Sequence, residues 1–116
     1  MKKFLAVYMG SASGMAEWKK MDEDKRKRQE KAGMEAWSKW ATANQKSIVE
    51  QGTPLGKTKR ISKQGISDTK NELTAYAIVQ AESHEAAAKL FESHPHFTIF
   101  PGDSVEVMEC LPMPEM

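Results

Sequence analysis

Residues 72–87 read Glu72-Leu73-Thr74-Ala75-Tyr76-Ala77-Ile78-Val79-Gln80-Ala81-Glu82-Ser83-His84-Glu85-Ala86-Ala87. In an extended chain successive side chains point to opposite faces. Leu73, Ala75, Ala77, Val79 and Ala81 therefore share one face, while Thr74, Tyr76, Ile78 and Gln80 share the other. The alternation predicts a strand over 72–82. Ser83 then offers the side-chain oxygen that caps a helix, whose buried face is Ala87, Leu90 and Phe91. Pro95, which cannot continue a helix, stops it.

Upstream, residues 55–62 read as a second strand, joined to the first by a loop that holds Gly65 and Asp68. Before it lies the longest element. Asp22-Glu23-Asp24 places acids at a helix N-terminus, and Gly33, Trp37, Trp40, Ala41 and Ile48 fall on one face with Asn44 as its polar interruption. Gln51-Gly52 and then Pro54 are read as its end, and the charged residues 22–31 as solvated. The continuous apolar run Phe4-Leu5-Ala6-Val7-Tyr8-Met9, closed by Gly10, predicts a central strand covered on both faces. Between Gly10 and Gly14, Ser13 is read as the cap of a short helical turn carrying Met15 and Trp18. Downstream, Pro101-Gly102-Asp103 is a turn, Val105, Val107 and Met108 lie in a last strand, and residues 111–116 form a Pro-containing tail.

The order is β-α-β-β-α-β. Short connections and right-handed crossovers make it an α+β domain spanning 1–116, a four-stranded antiparallel sheet with both helices on one face. The opposite face, with Tyr76 and Ile78, has no helix to cover it. An uncovered apolar sheet face is an interface, so the chain is expected to pair with a second copy as a homodimer.

Composition narrows the rest. With 17 basic and 16 acidic residues the net charge is +1, without the basic excess of a general nucleic-acid binder. Cys110 is the only cysteine, so no internal disulfide framework exists, and a reducing, cytoplasmic setting is expected. No apolar run reaches the roughly 20 residues of a membrane span, and the opening segment is too short and too tyrosine-interrupted for a signal peptide. Lys25-Arg26-Lys27-Arg28 is flanked by Asp22, Glu23, Asp24 and Glu30, which suits a solvated helix face. Gly10-Ser11-Ala12-Ser13-Gly14 lacks the Lys-Ser/Thr ending and the glycine spacing of phosphate loops, and no cofactor is expected.

The chain resembles the YCII-related family. The resemblance rests on the apolar opening strand, the helix from Met34-Glu35-Ala36-Trp37 to Gln51-Gly52, the segment Glu72 to Ala81 leading into Ser83-His84-Glu85-Ala86-Ala87, and the ending from His94-Pro95 to Val105-Glu106-Val107. It implies a ferredoxin-like fold, a dimeric α/β barrel and a pocket between sheet and helix. In some members a His–Asp pair in that pocket is proposed to be catalytic. Here no His precedes His84, and His94 stands where the Asp would, so the resemblance implies the fold without that pair.

His94-Pro95-His96 is the leading chemical feature. Pro95 biases His94 toward an extended conformation, which puts two imidazoles on one face, suited to acid–base work near neutral pH. His94, His96 and Asp103 are the candidate catalytic residues. A metal would need at least a third ligand, for which Asp103, Glu109 and Cys110 can be no more than nominated; no metal is expected. Tyr8, Tyr76, Trp37 and Trp40 are candidate ligand-binding residues, against the plainer reading in which Trp37 and Trp40, three apart, pack the core. Cys110 reads as a buried strand thiol. Two functions stand open: a small-molecule lyase or isomerase using acid–base chemistry, and a non-catalytic sensor or interaction module.

Overall fold

The structure, a computed structural model, describes residues 1–114; Glu115 and Met116, the end of the expected tail, lie outside the described residues. Strand β1 spans Lys2–Met9, helix α1 Ala12–Lys20, helix α2 Glu23–Ala43 and strand β2 Ile48–Glu50. Strands β3 (Thr58–Ser62), β4 (Gly65–Thr69) and β5 (Leu73–Ala81) follow, then helices α3 (His84–Lys89) and α4 (Pro95–Thr98), and last strand β6 (Ser104–Glu109). The main sheet has the order β2-β5-β1-β6, antiparallel throughout. This is the ferredoxin-like arrangement, with the first strand of the chain in the middle as its two apolar faces require.

Register places each strand residue. Phe4 pairs with Val79, Ala6 with Ala77 and Tyr8 with Ala75 across β1 and β5, while Ala6 faces Val107 and Tyr8 faces Val105 on β6. Phe4, Ala6, Tyr8, Ala77, Val79 and Ala81 form the inner face, packed with Ala87 and Phe91 and flanked by Trp37, Trp40 and Leu90. Small alanines on β5 let the large indoles of α2 approach the sheet. Ser83 caps α3 by accepting the Ala86 N–H at 3.1 Å. Asp22 caps α2, accepting the Lys25 N–H at 3.3 Å.

The other face of the sheet carries Leu5, which pairs with Ile78 on one side and Met108 on the other, and Val7, which pairs with Tyr76 and Glu106. Met108 there is 43% exposed. The helix residues Trp37, Trp40 and Ala87 pack on the inner face instead, and on this one Val7 is nonetheless buried, at 7% exposure.

Five local readings are corrected. First, α2 ends at Ala43 rather than Gly52. Asn44 takes over the Trp40 carbonyl with both its backbone N–H (3.0 Å) and its side-chain amide (2.9 Å), and this local competition closes the helix. The β-branched Ile48 and Val49 then enter the sheet as edge strand β2, pairing with β5. Gly52, at φ +72°, lets the chain lie so close to β5 that a Cβ there would strike the Tyr76 carbonyl oxygen. Second, residues 58–62 do not join the main sheet. They pair with 65–69 as a separate hairpin, because their only apolar pair, Ile61 opposite Ile66, gives no face wide enough to bury; both are over 70% exposed.

Third, Ser11, not Ser13, caps α1: its Oγ accepts the Gly14 N–H at 3.1 Å. Fourth, α3 has already ended at Lys89, and Pro95 instead opens α4 at a first-turn position, where its missing N–H costs nothing. Fifth, Cys110, read as a buried strand thiol, lies one residue past β6 and is exposed, beyond a strand end whose last residues Met108 and Glu109 are exposed too.

Candidate functional site

Tyr8, on the inner face of β1, is 1% exposed and sits at the centre of a cluster of rings. Trp37 of α2 lies 4.9 Å from it, Phe91 6.0 Å, His94 5.1 Å and His96 5.2 Å. Trp37 and Trp40, one helical turn apart, both meet His94 nearly edge-on, at 4.4 and 4.6 Å. Trp40 donates Nε1–H to the Leu90 carbonyl at 2.7 Å, which satisfies its indole and ties α2 to the end of α3.

The two histidines play different parts although one residue separates them. His94 is extended (φ −62°, ψ 142°), as the proline after it requires, and is fully buried. Its Nδ1 accepts the His96 N–H at 3.0 Å and so caps α4. That bond leaves the proton of the neutral ring on Nε2, which has no partner among the described residues and lies among indole and phenyl rings. Burial, and then the nearby charge of His96 when protonated, pulls the His94 pKa down to about 4, so the ring is neutral at physiological pH.

His96 bonds the Met9 carbonyl through Nε2 at 2.7 Å. A carbonyl only accepts, so Nε2 carries the proton and Nδ1 holds a lone pair. Burial lowers its pKa, opposed by the Met9 hydrogen bond and the negative charge of Asp103. Asp103 is exposed, and its backbone N–H donates to the same Met9 oxygen at 2.9 Å. Gly102 presses against the His96 ring closely enough that a Cβ would overlap Nε2.

Two cavities of about 320 Å³ flank the cluster. The first lies between α2 and β5, and all four candidate ligand-binding residues, Tyr8, Trp37, Trp40 and Tyr76, line it together with Pro54 and Ala75. Burial raises the Tyr8 phenol far above its ordinary value. Tyr76 donates its hydroxyl to Glu50 at 2.8 Å, and that bond and the carboxylate charge raise its pKa. The second cavity is lined by His96 with Gly10, Ser11, Glu72, Thr74, Gly102 and Phe100. The fold thus brings His94, His96, Tyr8, Trp37 and Trp40 together, leaves Asp103 exposed in a separate pocket with His84 and Phe97, and puts the Tyr76 hydroxyl at the strand edge. Glu72, Phe100 and Gly102 were not singled out from the sequence. Only Gly102, following Pro101 in a marked turn, carried a signal, and it pointed to backbone rather than to a site.

Among the described residues no three His, Cys, Asp or Glu side chains converge as metal ligands, so Glu109 and Cys110 do not complete a site with the histidines. Nor is any helix of the described residues long and apolar enough to cross a membrane.

No family model matches the chain. No curated protein matches it. Among solved structures it is similar to a 5-chloro-2-hydroxyhydroquinone dehydrochlorinase from Burkholderia phenoliruptrix, in complex with 2,5-dihydroxybenzoquinone, at 14% identity and a TM-score of 0.49 over 92% of this chain and 90% of that one.

Proposed function

We propose that the protein is a divergent YCII-related homodimer that binds a small organic molecule and acts on it by acid–base chemistry of the lyase or isomerase type. The observation that carries this reading is His96: a buried ring lining a cavity, its tautomer fixed by the Met9 carbonyl so that an unprotonated Nδ1 is available as base. Its lowered pKa keeps it in the base form at neutral pH, and the nearby Asp103 charge stabilises the imidazolium once it has taken a proton. His94 is then a positioning residue, holding the first turn of α4 through the His96 N–H. Homodimerisation is supported by the sheet face of Leu5, Ile78 and Met108, opposite the face on which Trp37, Trp40 and Ala87 pack, where Met108 is 43% exposed.

The experiment is to incubate wild type and His96→Gln with a panel of small hydroxy, keto and phenolic acids and follow each by mass spectrometry. Consumption by wild type that vanishes in His96→Gln, with the melting temperature retained, is the expected result. Equal turnover by both proteins sinks the assignment.

A second reading is a non-catalytic sensor. It is favoured by the other cavity, whose lining of Tyr8, Trp37, Trp40 and Tyr76 holds no group that titrates near neutral pH. Recovery of a chemically unchanged metabolite from the purified protein, released by Trp37→Ala but not by His96→Gln, would select it.

A further inference from the structure

The His96 cavity does not end at its own walls. Met15, Asn71 and Thr74 line both it and a larger groove of about 760 Å³ that runs to the root of the β3–β4 hairpin. The groove has two chemistries. Met15 (48% exposed), Leu55 (42%) and Leu73 (41%) are three apolar side chains open to it. Lys57, Lys59 and Lys70 line it as well, with Asp68 the one acid.

The acid is already spent: Asp68 pairs with Lys59 at 2.6 Å. Lys57 and Lys70 make no ion pair among the described residues. The register explains why they stand together. Thr58 pairs with Thr69 as the last rung of the hairpin, so the backbone holds the positions just beyond it, 57 and 70, at the same root. Like charges brought side by side repel, and an anion between them would relieve that cost. At the other end of the cleft Glu72 lines the His96 cavity and disfavours a second negative charge there.

We infer that the substrate is an amphiphilic organic anion, a soluble carboxylate whose apolar body lies along Met15, Leu55 and Leu73, whose charged end is held by Lys57 and Lys70, and whose uncharged end reaches His96. The inference rests on the reading of His96 as the working base. Polarity is set by charge at both ends, lysines outward and Glu72 inward, so the molecule enters in one orientation.

The test compares octanoate with octanamide, which share a body and differ in charge, by isothermal titration calorimetry on the full chain. Octanoate is expected to bind about tenfold more tightly than octanamide, a difference worth one desolvated charge contact. Lys57→Gln with Lys70→Gln should abolish that preference, Lys25→Gln on the remote part of α2 should leave it, and raising salt to about 0.5 M should weaken octanoate alone. Equal affinity for the two probes, a preference that survives the double substitution, or partition onto phosphatidylserine vesicles without saturable octanoate binding would overturn it. The histidine resonances separate this from the reading it rests on. A charge preference without any shift of the His96 ring signals keeps the anion groove and removes His96 as its base. A His96 shift without charge preference does the reverse.

Discussion

Two cavities of one size flank a single cluster of rings; both are mainly apolar, and they differ in the titratable groups they hold. The one under α2 is closed by aromatic surface and two phenols that stay protonated. The one under the β1–α1 turn has a histidine with a committed tautomer, a carboxylate and an outlet toward lysines. The same wall therefore presents packing to one side and chemistry to the other. What separates them is the orientation of two histidines around one proline. His94 turns inward and is held as a cap; His96 turns to the Met9 carbonyl and stays reachable.

The largest expected effect removes the wall itself. Tyr8→Ala deletes a fully buried ring that touches Trp37, Phe91 and both histidines, and it should cost about 3–5 kcal/mol in urea denaturation while abolishing the difference between the cavities. A loss below about 1 kcal/mol would mean that the cluster is not the core it looks like.

Acid comes next. The folded His94 has its pKa lowered from 6.5 to about 4, so the unfolded chain takes the proton first as pH falls. The contribution is complete above pH 6.5 and is lost progressively down to about 4, where it amounts to roughly 3 kcal/mol. Denaturation midpoints measured across that window should fall in wild type and flatten in His94→Gln. A flat wild-type profile would place solvent at Nε2.

The smallest effects sharpen the contrast one side at a time. Gly102→Ala pushes a methyl group into the His96 ring and should cost about 1–3 kcal/mol, moving His96 resonances and sparing fluorescence changes of Trp37 and Trp40. Trp40→Phe drops the bond to the Leu90 carbonyl, about 0.5–1.5 kcal/mol, and enlarges only the aromatic cavity. Either variant disturbing both cavities equally would show the wall to be one cooperative unit.

Much of this was legible in the residues. The alternation from Leu73 to Ala81 and the two-faced run Phe4–Met9 name the central strands, because side-chain period and burial are local properties. Ser83 announces its helix through cap chemistry, and Asp22-Glu23-Asp24 through acids that suit a helix N-terminus; neither signal needs tertiary context. Strand β2 was hidden, since its three residues continue a helical spacing and become a strand only by pairing with β5 some thirty positions on. Residues 58–62 had the opposite fault: a strand-like pattern with nothing in it to say which strand it pairs with. The histidine pair was marked by Pro95, yet nothing in its spacing separates a cap from a base. That division depends on Met9, which lies far off in sequence.

Central placement of β1 has a consequence for how the chain reaches its fold. Its two sheet partners are β5, beyond residue 72, and β6, beyond residue 103. On a ribosome, α2 is complete while β1 still has neither neighbour, so this apolar segment waits, unpaired, until residues beyond 72 have been made. Topologies dominated by such distant pairings fold slowly and expose strand edges meanwhile. Lys2 and Lys3, at the leading edge of that waiting strand, supply the charge that discourages it from pairing with a neighbouring chain.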